Sequence, residues 1–266
     1  KLRTICHKHG KRMNLWGDIV MKYPDIIPDI PRDMVLLNWD YGLEGKRMNR
    51  NSEFSGAGLA HLCCPGTHAW QSHGSRLHVG LENIRRFAAI AADEDAEGLL
   101  VTNWGDNGHR NPLAAGLCGI AYAGAQGWKP GVVAPETHVA NFVRNTFDIS
   151  DPQTFKTSLE TIGDTDFGTW VYNGILEKLS EPASLGEMFT KGQALLDKPP
   201  LSSEQIAEKL AATEQVQFMD RQSDGDSDSF EARSVEEYNL ANVMNKTALQ
   251  RLQLARQVRS GEKPSE

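Results

Sequence analysis

Residues 98–112 read GLLVTNWGDNGHRNP. Leu99, Leu100 and Val101 are an apolar run of the kind that makes a buried parallel strand. The run then breaks into Trp104, Gly105, Asp106, Asn107, Gly108 and His109. An aromatic ring, a carboxylate, an amide and an imidazole, spaced by glycines at a strand's end, are what α/β proteins use for chemistry. The plainer reading is a turn whose Asp or Asn caps the next helix. Three similar endings upstream favour the first.

Working outward, Met13, Leu15 and Trp16 predict a short strand closed by Gly17 and Asp18. Residues 22–32 hold three prolines and predict a brief, poorly helical return. A second strand is expected over 33–39 (DMVLLNW), closed by Asp40, Tyr41 and Gly42. A third is expected over 58–64 (GLAHLCC), followed by Pro65, Gly66, Thr67, His68, Ala69 and Trp70. Residues 77–95 carry Leu77, Leu81, Ile84, Phe87, Ala88 and Ala91 at helical spacing, an amphipathic helix. A fourth strand is expected over 98–104, then a small-residue helix over 116–128 stopped by Pro130 and Gly131. Four strand–connection units in succession imply parallel strands, right-handed crossovers and ligand sites at the strand C-termini.

From residue 133 onward no strand pattern appears. Helices are expected over 138–147, 153–162, 168–180, 184–197, from Ser202 onward and over 234–259, with residues 220–229 an acidic solvated loop. The division read from sequence is therefore a βα part, 1–132, and an all-α part, 133–266. Residues 2–9 look like the last turns of a helix stopped by Gly10, so the chain reads as starting inside an element.

The formal net charge of −7 argues against a nucleic-acid partner, which needs a basic face. No apolar run approaches membrane-spanning length. Cys6, Cys63, Cys64 and Cys118 lack metal-ligand spacing, and Cys63 and Cys64 read as buried thiols. His61, His68, His73, His78 and His109 match no ligand motif either, so neither a metal nor a cofactor is implied. Trp16, Trp39 and Trp104 end three of the four expected strands, and Trp70 follows the other. Several rings at one topological level beside Asp, Asn or Gly suit the wall of a pocket for a carbohydrate or other amphipathic ligand better than core filling.

The segments Leu15-Trp16-Gly17-Asp18, Asn38-Trp39-Asp40-Tyr41-Gly42, 65–72 (PGTHAWQS) and 97–109 (EGLLVTNWGDNGH) carry a family resemblance. In this order they resemble strands five to eight of the catalytic (β/α)8 barrel of glycoside hydrolase family 20, the β-N-acetylhexosaminidase type, in a bacterial branch. The resemblance covers roughly residues 1–130. It implies half of a TIM barrel and substrate-assisted retaining hydrolysis of terminal N-acetyl-hexosamine. In that chemistry the substrate's own acetamido oxygen attacks the anomeric carbon, outside the ordinary two-carboxylate scheme. It places Trp16, Trp39 and Trp104 in an acetamido cage and Asp106 against sugar hydroxyls. Asp18, Tyr41, Trp70, Asn107 and His109 are further candidates for the same pocket. The implied partners are N-acetyl-hexosamine glycans, together with an upstream half barrel or a second copy of the chain.

Two departures qualify the resemblance. The family's acid is an Asp-Glu pair after strand four, expected upstream of Lys1. Asp93-Glu94, the sequence's one such pair, precedes the fourth strand on the opposite side of a barrel and is not expected to serve. The family's strand-seven tyrosine is replaced by Thr67-His68, and the sequence leaves open whether His68, Trp70 or Tyr41 takes its place. The alternative function is a non-catalytic protein that binds N-acetylated sugars.

Overall fold

The computed structural model describes residues 1–106, 109, 111–147, 149, 151–165, 201–218 and 229–260. Among them the protein is mixed α/β, with three parallel strands and many helices. Its elements are α1 (Leu2–Lys8), β1 (Asn14–Trp16), α2 (Asp18–Lys22), β2 (Val35–Trp39), α3 (Ser52–Ser55), β3 (Ala60–Cys64) and α4 (Leu77–Asp93). After these come α5 (Leu117–Trp128), α6 (Pro135–Thr146), α7 (Pro152–Thr165), α8 (Ser203–Glu214) and α9 (Phe230–Ser260). The helices expected over 168–180 and 184–197, and all of the acidic loop but its last residue, lie outside the described residues. The chain forms two compact units. The first is Lys1–His68, His78–Asn103 and Cys118–His138; the second is Ala69–Leu77, Trp104–Leu117 and Val139–Glu266.

In the first unit the strands run in the order β1-β2-β3, all parallel. Trp16 stands opposite Leu37, and Trp39 opposite Cys64. Alternation along the strands then separates two faces. Leu36 packs with Val20, Met21, Phe54 and Leu59, and Cys63 packs with Met48, Phe87 and Ala91, so the short helices and α4 cover one face. Val35, Leu37 and Cys64 share the other face with the partly exposed Trp39, Ala60 and Leu62. The helix-side face also carries a buried polar chain. Asn38 Nδ2 donates to Asn51 Oδ1 (3.0 Å), and Asn51 Nδ2 meets His61 Nε2 (2.9 Å), while His61 Nδ1 meets the Leu59 carbonyl (3.0 Å). A carbonyl only accepts, so His61 carries its proton on Nδ1 and takes Asn51's proton at Nε2.

Where a fourth strand is expected, the structure differs. Cys63 bridges Leu99 and Gly66 bridges Thr102, parallel and in one register, but as isolated bridges. The ladder runs from Cys63 N–H to the Gly98 carbonyl, from Leu100 N–H to Cys63, from Thr102 N–H to Pro65, and from Thr67 N–H to Thr102. The missing rung is the one residue 65 would donate, and Pro65 has no N–H to donate. At the starts of the two outer segments, Arg12 Nη1 meets both oxygens of Glu97, each at 2.9 Å.

Among its described residues the second unit is helical apart from its loops. Phe142, Phe147, Phe155, Phe218 and Tyr238 form a ring cluster, with Phe147 stacked on Phe155 at 4.7 Å. Leu201, Ile206, Ala248, Leu249 and Leu252 join α8 to α9. Ser202 caps α8 in a reciprocal capping box with Gln205, as its sequence predicts. Asn245 Nδ2 donates to the Ile162 carbonyl (3.0 Å) and ties α9 to α7.

Candidate functional site

Parity places Trp16, Leu37, Trp39, Leu62, Cys64, Leu100 and Thr102 on one face of the first unit's sheet. The C-terminal end of that face gathers the candidate groups of this unit. Trp16 ends β1 and is 37% exposed. Gly17 follows because its backbone lies against Phe54 and the Leu37 carbonyl, where a Cβ would sit 3.0 and 3.2 Å from them. Asp18 then opens α2, half-buried.

Trp39 ends β2, and the chain after it is bent back by Asp40. The buried Asp40 carboxylate accepts the main-chain N–H groups of Gly42 (3.2 Å), Arg47 (2.8 Å) and Met48 (3.1 Å). The Arg47 guanidinium lies 3.5 Å over the Trp39 ring and donates from Nε to the Trp39 carbonyl (2.9 Å). Tyr41 is tilted against the same indole at 5.1 Å. The Tyr41 hydroxyl lies 3.2 Å from Thr102 Oγ1, whose single proton serves either it or the Pro65 carbonyl at 3.1 Å.

His68 follows β3 in the left-handed region, φ 59°, buried and edge-on to the Tyr41 ring at 6.3 Å. A buried non-glycine residue in that region is strained, and such strain gathers at functional sites. Thr67 beside it donates to Asn103 Oδ1 at 2.6 Å. Asn83 of α4 holds the post-strand loops together: its Oδ1 accepts Gly66 N–H (3.0 Å) and its Nδ2 donates to the Asp40 carbonyl (2.9 Å). The thiols on β3 are free and buried. Burial pushes Cys64 up to about 12, and burial first and then Cys64 and Glu94 push Cys63 well above the usual thiol range.

Trp104, Asp106, His109 and Trp70 belong to the second unit. Trp104, Asp106 and His109 are exposed. His109 sits at φ 51° with its N–H bonded to the Gly105 carbonyl (2.9 Å), and its ring folds back over Gly105. A Cβ on Gly105 would lie 1.8 Å from His109 Nδ1, so a side chain there would have to displace the exposed imidazole. Asn107 lies outside the described residues. Trp70 is half-buried, with Arg76 donating to its carbonyl (3.0 Å). The 3-10 turn Leu113–Gly116, which follows this loop, is held at Ala114: Glu237 accepts its N–H (2.6 Å) and the Tyr238 hydroxyl donates to its carbonyl (2.9 Å).

Asp93-Glu94 sits at the end of α4, and Glu94 accepts a bond from Ser55 (3.0 Å). Among the described residues no group of three or more His, Cys, Asp or Glu could hold a metal ion, and no helix is long and apolar enough to cross a membrane. Asp40, Arg47, Asn83 and Thr102 were not signalled as site residues by any spacing. Arg47 in particular lies eight positions beyond the tryptophan it covers, in a polar loop. No protein-family model, curated protein or solved structure matches the chain.

Proposed function

We propose that this chain is part of a β-N-acetylhexosaminidase-like glycoside hydrolase, family 20 in type. It would supply the aromatic sugar-binding groups, while the Asp-Glu acid pair lies outside the chain. The observation that carries the reading is one sheet face with Trp16 and Trp39 at the C-terminal ends of adjacent parallel strands. Helices cover the other face, the local arrangement of a (β/α) barrel.

In this reading Trp16 and Trp39 of the first unit recognise the acetamide. The reaction is retaining and substrate-assisted, and needs no resident cofactor. A second reading, a binding protein without hydrolysis, is favoured by the place of Asp93-Glu94 on the helix side, where Glu94 is engaged by Ser55.

The test titrates the chain with N-acetylglucosamine, N-acetylgalactosamine and glucose, read by tryptophan fluorescence. Either N-acetylated sugar should bind more tightly than glucose, and Trp39→Ala should abolish the difference. Equal response to all three sugars would sink both readings. Release of N-acetyl-hexosamine from an aryl glycoside by the natural gene product, once its N-terminus is sequenced, separates the hydrolase from the binding protein.

A further inference from the structure

We infer that Arg47 and Trp39 form a binding site for an anionic substituent, a sulfate, phosphate or carboxylate carried on a saccharide. Three observations meet at this one side chain. First, the guanidinium is held in place. Its Nε is spent on the Trp39 carbonyl, its plane lies 3.5 Å over the indole, and its own main-chain N–H is taken by Asp40. Asn38 Nδ2 also donates to the Arg47 carbonyl (3.3 Å), so both sides of the residue are tied to β2.

Second, among the described residues its terminal nitrogens form no ion pair with a carboxylate. The acids of its loop are engaged elsewhere. Asp40 has both oxygens on main-chain N–H groups, and Glu44 pairs with Lys46 at 3.1 Å. Among the described residues the four N–H bonds on Nη1 and Nη2 have no hydrogen-bond or ion-pair partner.

Third, the position suits a ligand. Arg47 caps the indole at the C-terminal end of β2, beside Tyr41 and on the face that also carries Thr102. A ligand approaching that side of Trp39 meets a planar fork of donors in place of an aromatic face. An arginine fork matches the paired oxygens of a carboxylate, sulfate or phosphate, and holding it rigid beforehand removes the entropy cost of ordering it on binding.

The sugar part of the inference rests on the proposed hexosamine site; the anion part rests on Arg47 alone. The experiment is calorimetric titration of the chain with N-acetylglucosamine, its 6-sulfate, its 6-phosphate, its 3-O-lactyl ether, and glucose 6-sulfate, at low and high salt. At least one charged N-acetylglucosamine should bind about tenfold or more tightly than the neutral sugar at low salt, because a charge-assisted pair contributes that much. High salt should shrink the ratio, and R47Q should bring it to about one. The substituent preferred distinguishes sulfate, phosphate and carboxylate.

No preference in the wild-type chain, or an unchanged preference in folded R47Q, overturns the site. Should R47Q not fold, R47K is read instead. It keeps the charge and loses the fork, so an unchanged ratio overturns the site equally. Tight, Arg47-dependent binding of glucose 6-sulfate with no gain from the acetamido group supports the anion site and removes the hexosamine reading. Acetamido-dependent binding without any charge preference does the reverse.

Discussion

Asn83 shows how much one amide carries in this structure. It is fully buried in α4 and satisfies a main-chain donor of one post-strand loop and a main-chain acceptor of the other, at Gly66 and Asp40. Asn83→Ala leaves both groups buried without a partner, which costs about 2–4 kcal/mol in all. Urea unfolding should therefore show a lowered midpoint at an unchanged slope. A midpoint equal to wild type would mean that both groups find water. Residues of this kind were not legible in the sequence. Asn83 is one polar residue inside an amphipathic pattern, and nothing in its spacing distinguishes an inward-facing clamp from an exposed side chain. The tryptophans were legible, because an indole at the end of an apolar run is uncommon and its position follows from the strand. Trp16 and Trp39 do share a face. What spacing missed is that Arg47 covers the second of them.

At the scale of elements, the strands were legible from their apolar runs, and their ends shifted by a residue or two. The fourth is the instructive case. Leu99 to Thr102 lies in register along β3, yet the ladder breaks because its neighbour presents Pro65. The strand signal lay in one segment and its interruption in another, 35 residues away, so no window read alone could show it. Restoring the donor tests this account. Pro65→Ala supplies an N–H facing the Leu100 carbonyl, and hydrogen exchange should find that new amide protected. Net stability should hardly move. The added bond contributes about 0.5–1.5 kcal/mol, and the greater freedom of the unfolded alanine chain takes back about 0.4–1 kcal/mol. Rapid exchange at residue 65 would mean the two segments are not a continuous ladder. The same scale explains the helical region. α9 grips both sides of Ala114, so this helix of the all-α part braces the segment following the Trp104–His109 loop.

At the scale of the molecule, two of the described ionisable groups bear on its response to acid in different ways. His138 is buried at the start of α6, with Nε2 3.1 Å from the Cys118 carbonyl of α5 and its ring 4.7 Å from Tyr122. The carbonyl only accepts, so Nε2 carries a proton. Burial lowers its pKa below the ordinary 6.5, partly opposed by that hydrogen bond. Glu82 behaves differently: bonds from Arg85 and Arg86 outweigh its partial burial and hold it near about 2. The two groups act in separate windows. Below pH 6.5 the unfolded chain takes up a proton at His138 that the folded chain refuses, so stability falls as pH falls, by at most about 1.4 kcal/mol per pH unit. The contribution of Glu82 is intact until the pH drops below its ordinary value of 4.5, and is lost between there and about 2. Between pH 6.5 and 4.5 the slope due to these two groups therefore belongs to His138. His138→Gln keeps a side-chain amide to meet the Cys118 carbonyl and cannot titrate. Its urea midpoints at pH 7, 6 and 5 should fall less steeply than those of wild type. Equal slopes between pH 7 and 5 would show that His138 is protonated as readily in the fold as out of it, and that burial between α5 and α6 does not govern its charge.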